Sequence, residues 1–333
     1  MMFMSDRINV LFTESQRIRL DGIIGVVTGD ALGCPVQFRS REEIALNPVT
    51  TMIGHGTYDM PVGTWTDDSS LTLALLDSIR RNRAINLQDI MYRFALWMTK
   101  GEYTPFGESF DIGRGTMKSI VRYMKEPDVG TCGGKGEHDN GNGSLMRIMP
   151  ACLYCNEMQE ERSITDEQAI ELIHKISGLT HNHLRAKIAC GLYYFMVRSI
   201  LHHDGSLIER LQAGIDEGFV FYKRDLNNLT ELSYYGRLYN LYAFADPASG
   251  EIRSSGYVVD SLEAAVWSLL KTTNFKDALL VAVNLGEDTD TVGEICGGLA
   301  GLYYGYEDIP EDWLSVIQRL DWIENMCVGE GKV

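Results

Sequence analysis

An all-α fold is predicted by three features of the chain. Apolar residues recur at three- and four-residue spacing, as in Leu71, Ala74, Leu75 and Ile79 or Leu262, Ala265, Val266 and Leu269, which places them on one face of a helix. Alternating apolar and polar runs of four or more residues are scarce. The Gly, Asn and Asp clusters that punctuate the sequence separate helical stretches rather than hairpins. A length of 333 residues suits either one large domain or two ordinary ones. No Pro/Ser linker or low-complexity tract divides it, so one domain over 1–333 is expected, with a core of about 16–325.

The first element carries glycine at four-residue spacing, Gly25, Gly29 and Gly33, and a late element repeats the device with Gly293, Gly297, Gly301 and Gly305. Glycine weakens an isolated helix, so the compensation expected is a close approach of another backbone or a ligand along the bare face. Asp21, Asp30 and Pro35 exclude a membrane-spanning dimer helix for the first row. Next comes Gly63-Thr-Trp-Thr-Asp-Asp-Ser69, immediately before a periodic helix over Leu71 to Arg80. The polar stretch from Lys125 to Gly143 is the longest candidate loop and leads through Asn142, Gly143 and Ser144 into an apolar run. Gly286-Glu-Asp-Thr-Asp-Thr-Val-Gly293 then opens the second glycine row.

Composition narrows the function. With 45% hydrophobic and 23% charged residues the chain has the average make-up of a globular protein. A net charge of -16 repels phosphate backbones and anionic membranes, so neither nucleic acid nor membrane is an expected partner, and a phosphate-bearing ligand needs local help. No signal peptide or membrane-length apolar run is present. Seven irregularly spaced cysteines read as reduced core thiols, and the Cys152/Cys155 pair, lacking a second pair, as core. A cytoplasmic location is expected; the oligomeric state stays open.

Each acidic cluster has two readings. One Asp or Thr before a helix caps its free amides, which stabilises it by about 1 kcal/mol. Capping needs one oxygen, whereas three oxygen-bearing side chains stand in a row at Thr66, Asp67 and Asp68, and again at Asp288, Asp290 and Thr291. Crowded carboxylates repel unless a cation neutralises them, and hard divalent ions take oxygen ligands. Zinc is disfavoured, because His181 and His183 have no companion Cys or His at a customary spacing.

The segments Gly29 to Phe38, Gly63 to Ser69, Gly141-Asn-Gly-Ser-Leu-Met-Arg147, Leu179-Thr-His181, Ser254 to Asp260 and Asn284 to Gly293, in this order, resemble the ADP-ribosylglycohydrolase family over nearly the whole chain. The resemblance implies an all-helical fold with two Mg²⁺ or Mn²⁺ ions in a cleft. It implies Thr66, Asp67, Asp68, Asp288, Asp290 and Thr291 as their ligands, and an ADP-ribosylated protein or small ADP-ribosyl compound as substrate. It places Gln37, the Asn142-Gly143-Ser144 loop, His181 and Tyr257 at the ligand: the loop would open a helix and offer amides to the diphosphate, and Tyr257 would be a wall or lid.

Hydrolysis at the anomeric carbon passes through an oxocarbenium-like state. Asp67 or Asp68 is the expected acceptor of the attacking water's proton. Several relatives carry glutamate where this chain has Gln37, and an amide is no acid or base near neutrality; Glu287 is a candidate substitute. Two alternatives remain beside the hydrolase: a relative that binds ADP-ribose without turnover, and a two-metal phosphohydrolase.

Overall fold

The computed structural model describes residues 12–246 and 248–329. Helices of nine residues or more run as α1 Glu14–Gly33, α2 Asp67–Asn82, α3 Leu87–Lys100, α4 Arg114–Lys125, α5 Met149–Glu160, α6 Asp166–Gly178, α7 Leu184–His202, α8 Leu207–Tyr222, α9 Val258–Leu270, α10 Phe275–Val283, α11 Thr289–Tyr304 and α12 Leu320–Val328. Among the described residues only isolated β-bridges occur, and no strand. The predicted all-α class is the observed one, and the periodic stretches at Leu71 and Leu262 lie on α2 and α9. No described helix is long and apolar enough to cross a membrane.

Local chemistry sets the helix starts. Thr13 and Thr165 form reciprocal capping boxes with Gln16 and Gln168, and Thr66 caps α2 by accepting from the Asp68 amide. The polar stretch after Lys125 is a loop as expected: 126–148 holds only the short 3-10 turn Glu137–Asp139.

The centre of the molecule is the antiparallel pair α1 and α11, packed glycine to glycine. A Cβ added to Gly25 would lie 2.2 Å from the Gly297 carbonyl oxygen, and one on Gly29 2.0 Å from that of Gly293. Reciprocally, Cβ atoms on Gly297 and Gly301 would meet the Gly25 and Asp21 carbonyls at 2.2 and 2.1 Å. Any side chain there forces the backbones apart. Gly305 departs from the expectation: it ends α11 at φ 89° and faces open space, a C-terminal cap outside the row. The core closes around this pair with Trp65, Trp97 and Trp313 buried, and all seven cysteines are buried free thiols, Cys152 and Cys155 on α5 among them.

Candidate active site

The close approach of α1 and α11 brings the two acidic segments together, although more than 200 residues separate them in sequence. At one end of α1, Asp30 accepts from the Thr66 amide at 2.9 Å and from the Ser69 amide and hydroxyl at 3.0 and 2.6 Å, which anchors the start of α2. Three residues on, the Gly33 carbonyl takes a 2.8 Å bond from the Thr289 hydroxyl, and a Cβ on Gly33 would lie 2.4 Å from the Thr289 carbonyl. One helix end thus seats the start of both α2 and α11.

A cleft of about 500 Å³ opens over these helix starts, and Gln37, Asp67, Asp68, Asn142, Gly143, His181, Asp288 and Thr291 all line it. Eight of the sequence-derived site residues are therefore gathered at one place. Thr66 and Asp290 lie just behind the surface, 1% and 0% exposed. Burial, then mutual repulsion, pushes the carboxyls of Asp67, Asp68 and Asp290 well above the usual range. Asp288 is raised by burial too, with hydrogen bonds from Asn142 and Gln37 offsetting part of the effect. Both oxygens of Asp290 and one of Asp68 are buried without a hydrogen-bond partner. Buried orphan carboxylate oxygens are costly, and cations are the partners that would satisfy them.

Four expectations need correction. The Asn142-Gly143-Ser144 segment does not open a helix: the Leu145 and Met146 amides both fold back onto the Asn142 carbonyl, at 2.7 and 3.1 Å, and α5 starts only at Met149. Any amide it offers comes from a turn, without a helix dipole behind it. Within that segment the Ser144 hydroxyl points away from the cleft, into the core, on Ser177 Oγ at 2.9 Å and Cys190 Sγ at 3.6 Å. Tyr257 does not line the cleft: its hydroxyl accepts from Arg185 at 3.1 Å, and the neighbouring Gly256 is the lining residue. Glu287 is also no substitute base. It is exposed at φ 61°, its backbone is tied to Phe38 and Arg39, and its side chain does not reach the cleft lining.

The sequence reading missed the opposite wall. Asp111 lines the cleft with φ 54° and its Oδ1 accepts from the Tyr58 hydroxyl at 2.5 Å, while the Gly113 amide bonds Asp67. Arg114 and Lys118, at the start of α4, supply the cleft's only lysine or arginine side chains among the described residues. A lone aspartate in this stretch gave no cluster to notice. Another surprise is a group of ligand-type atoms on Glu137, His183 and Glu231, all within 4.8 Å of one another. The Arg185 guanidinium already pairs with it, at 2.7 Å from Glu137 and 2.8 Å from Glu231, so it is an ion-pair cluster.

The fold is thus an all-helical body with an acidic cleft built on paired helix starts. The chain is a member of the ADP-ribosylglycohydrolase family, whose model matches residues 14–330, and is thereby an enzyme of the ADP-ribosyl hydrolase kind. It is 31% identical over 299 residues to ADP-ribosyl-(dinitrogen reductase) glycohydrolase of Rhodospirillum rubrum, covering 89% of this chain and 88% of that one. It is 29% identical over 306 residues to ADP-ribosylarginine hydrolase Tri1 of Serratia proteamaculans, covering 92% and 76%. A solved ADP-ribosylglycohydrolase-related protein complex superposes with a TM-score of 0.75 at 28% identity, covering 95% of this chain and 97% of the other.

Proposed function

We propose that the protein hydrolyses the glycosidic bond between ADP-ribose and an arginine side chain or small acceptor, releasing ADP-ribose. The observation that carries this is the meeting of Asp67, Asp68, Asp288 and Thr291 on one cleft wall, backed by the orphan oxygens of Asp290. The crowding and the unsatisfied oxygens fit two divalent cations, Mg²⁺ or Mn²⁺, with Thr66, Asp67, Asp68, Asp288, Asp290 and Thr291 as the residues that would hold them. Such ions, when bound, orient ribose hydroxyls and acidify a water.

The chain's own residues then divide the remaining work. Asp67 is the better placed of the two adjacent aspartates to receive a proton, since Asp68 is engaged by Thr291 and Glu294. Asp111, beside Asp67 and oriented by Tyr58, adds a carboxylate that favours positive charge on the sugar and on a departing guanidinium. Arg114 and Lys118 on the facing wall offset the chain's acidity where a diphosphate would lie. An acidic cleft also selects a cationic acceptor, which supports arginine, the linkage in the name of the Serratia relative.

Gln37 supports a second reading, a binder with little turnover: it is 4% exposed in the cleft, sits against Asp288, and carries no titratable proton. The decisive assay is release of ADP-ribose from ADP-ribosylarginine with Mg²⁺ or Mn²⁺ against EDTA, in wild type and Asp67→Asn. Divalent-dependent release lost in the variant supports the hydrolase. Tight ADP-ribose binding without release supports the binder, and released inorganic phosphate the phosphohydrolase.

A further inference from the structure

We infer that Arg147, acting through Thr180, fixes the tautomer of His181, so that the imidazole presents a permanent Nε2–H donor to the cleft. The argument is a count of donors and acceptors. Arg147 is fully buried, its guanidinium 4.6 Å over the Phe94 ring, and its Nη2 donates to Thr180 Oγ1 at 2.7 Å. A guanidinium cannot accept, so the threonine hydroxyl is the acceptor in that bond. Its single proton is left for the other neighbour in reach, His181 Nδ1, at 2.9 Å. If Nδ1 instead carried the proton, Thr180 would accept twice and its own hydroxyl proton would be buried without a partner, which folded proteins avoid. Nδ1 is therefore the acceptor and the ring proton sits on Nε2.

The rest of the neighbourhood holds the ring in that pose and bares the donor. The His181 amide bonds the Ser177 carbonyl at 2.9 Å, and the Ser177 hydroxyl donates to the His181 carbonyl at 3.2 Å. Around Nε2 stand three glycines: Cβ atoms on Gly115, Gly143 and Gly141 would lie 3.1, 3.3 and 3.5 Å from it. Any side chain at these positions would cover the donor. Burial and the nearby Arg147 charge also keep the ring neutral, with its pKa pushed down to about 3.

A fixed neutral N–H donates to an accepting oxygen, most strongly to a charged one such as a phosphate oxygen, and cannot take a hydrogen bond from a ligand hydroxyl. Arg147 and Thr180 are positioning residues in this scheme, and His181 is the group that meets ligand. Only the identity of that oxygen, a diphosphate oxygen of ADP-ribose, rests on the proposed function; the tautomer belongs to the free protein.

The test is nitrogen NMR of the free protein labelled with ¹⁵N-histidine, with His181 assigned by loss of its signals in His181→Gln. The expected spectrum has a pyridine-type Nδ1 and a pyrrole-type Nε2 in wild type and in Thr180→Ser, and a shift toward the other tautomer in Thr180→Val. In kinetics, Thr180→Val raises KM for ADP-ribosylarginine about tenfold, as for one weakened hydrogen bond to a charged oxygen, with kcat nearly unchanged, and Thr180→Ser restores it. A protonated Nδ1 in wild type overturns the inference even if no variant folds, and so does an unaltered tautomer in folded Thr180→Val. Absent hydrolysis with the expected spectrum would count against the proposed function and leave the tautomer standing.

Discussion

Asn142 Nδ2 lies 2.5 Å from Asp288 Oδ2 and 2.8 Å from Ser261 Oγ, so one amide ties the loop between α4 and α5 to the start of α11 and to α9. Backbone pairing reinforces the tie, with the Asn142 amide on the Gly256 carbonyl at 3.1 Å. The loop that would face the ligand and the carboxylate that would hold a cation are thus positioned by each other.

Breaking that tie is expected to cost cation affinity before it costs fold. Asn142→Ala leaves the backbone pairing intact but frees the Asp288 carboxylate, and partners that orient a metal ligand are typically worth 10–100-fold in affinity. Titration of Mn²⁺ by calorimetry checks this; an unchanged affinity would show that Asn142 serves the loop alone.

In the crowded acidic floor, removing a charge and removing the cations act in opposite directions. Asp68→Asn is expected to raise the melting temperature in EDTA, because burial and Asp30, Asp288 and Asp111 all oppose its charge, and to abolish divalent-dependent turnover. A variant less stable than wild type in EDTA would mean that the carboxylate is already compensated within the protein.

Gln37→Glu is the mirror experiment. It exchanges an amide beside Asp288 for a further carboxylate, so the EDTA-treated variant should melt about 2–5 °C lower, with Mg²⁺ raising its melting temperature more than it raises that of wild type. Equal melting in EDTA would show that the added carboxyl stays protonated. A gain in kcat in the same variant would identify what the native glutamine limits.

The glycine contact is expected to be intolerant. A methyl on Gly29 meets the Gly293 carbonyl oxygen at 2.0 Å, both atoms being main-chain, so Gly29→Ala must part α1 from α11. Overpacking of this kind costs about 3 kcal/mol or more, read from the urea midpoint, whereas Gly305→Ala, with open space but a backbone conformation that favours glycine, should cost less, about 1–2 kcal/mol. Similar losses at the two positions would argue against backbone contact as the reason for the row.

Acid should destabilise the protein through His174, whose ring stacks at 9° on Tyr222 with Nε2 at 2.8 Å from its hydroxyl. Burial and Lys187 push its pKa down to about 3, below the unfolded value. As pH falls below about 6.5, the unfolded chain takes up a proton that the folded one refuses, so stability present at neutral pH declines toward pH 3. The slope is at most about 1.4 kcal/mol per pH unit, a ceiling because the ring borders a surface cavity. The gap between urea midpoints at pH 7 and 5 should narrow in His174→Gln, with His181, held down in the same way, keeping its own share; an unchanged gap would assign the acid sensitivity elsewhere.

Much of this was legible in the residues. Helical periodicity gave the class, because burying one face of a helix demands apolar side chains every three or four positions. The glycine rows announced a close approach, since nothing else repays so much lost helix propensity. Crowded aspartates marked two segments that the fold brings to one cleft, because like charges are not gathered without a reason.

What the residues left open were relations across space. Nothing in the order of the chain says that Gly29 lies on Gly293, that Asp30 anchors the helix beginning at Asp67, or that Asp111 faces both acidic segments. The direction of Ser144 into the core and the placement of Tyr257 outside the cleft were equally invisible. A motif records which groups are available within a few residues; which way each side chain points is settled only by the packing of helices far apart in sequence, where a glycine contact of two backbones fixes the geometry of everything mounted on them.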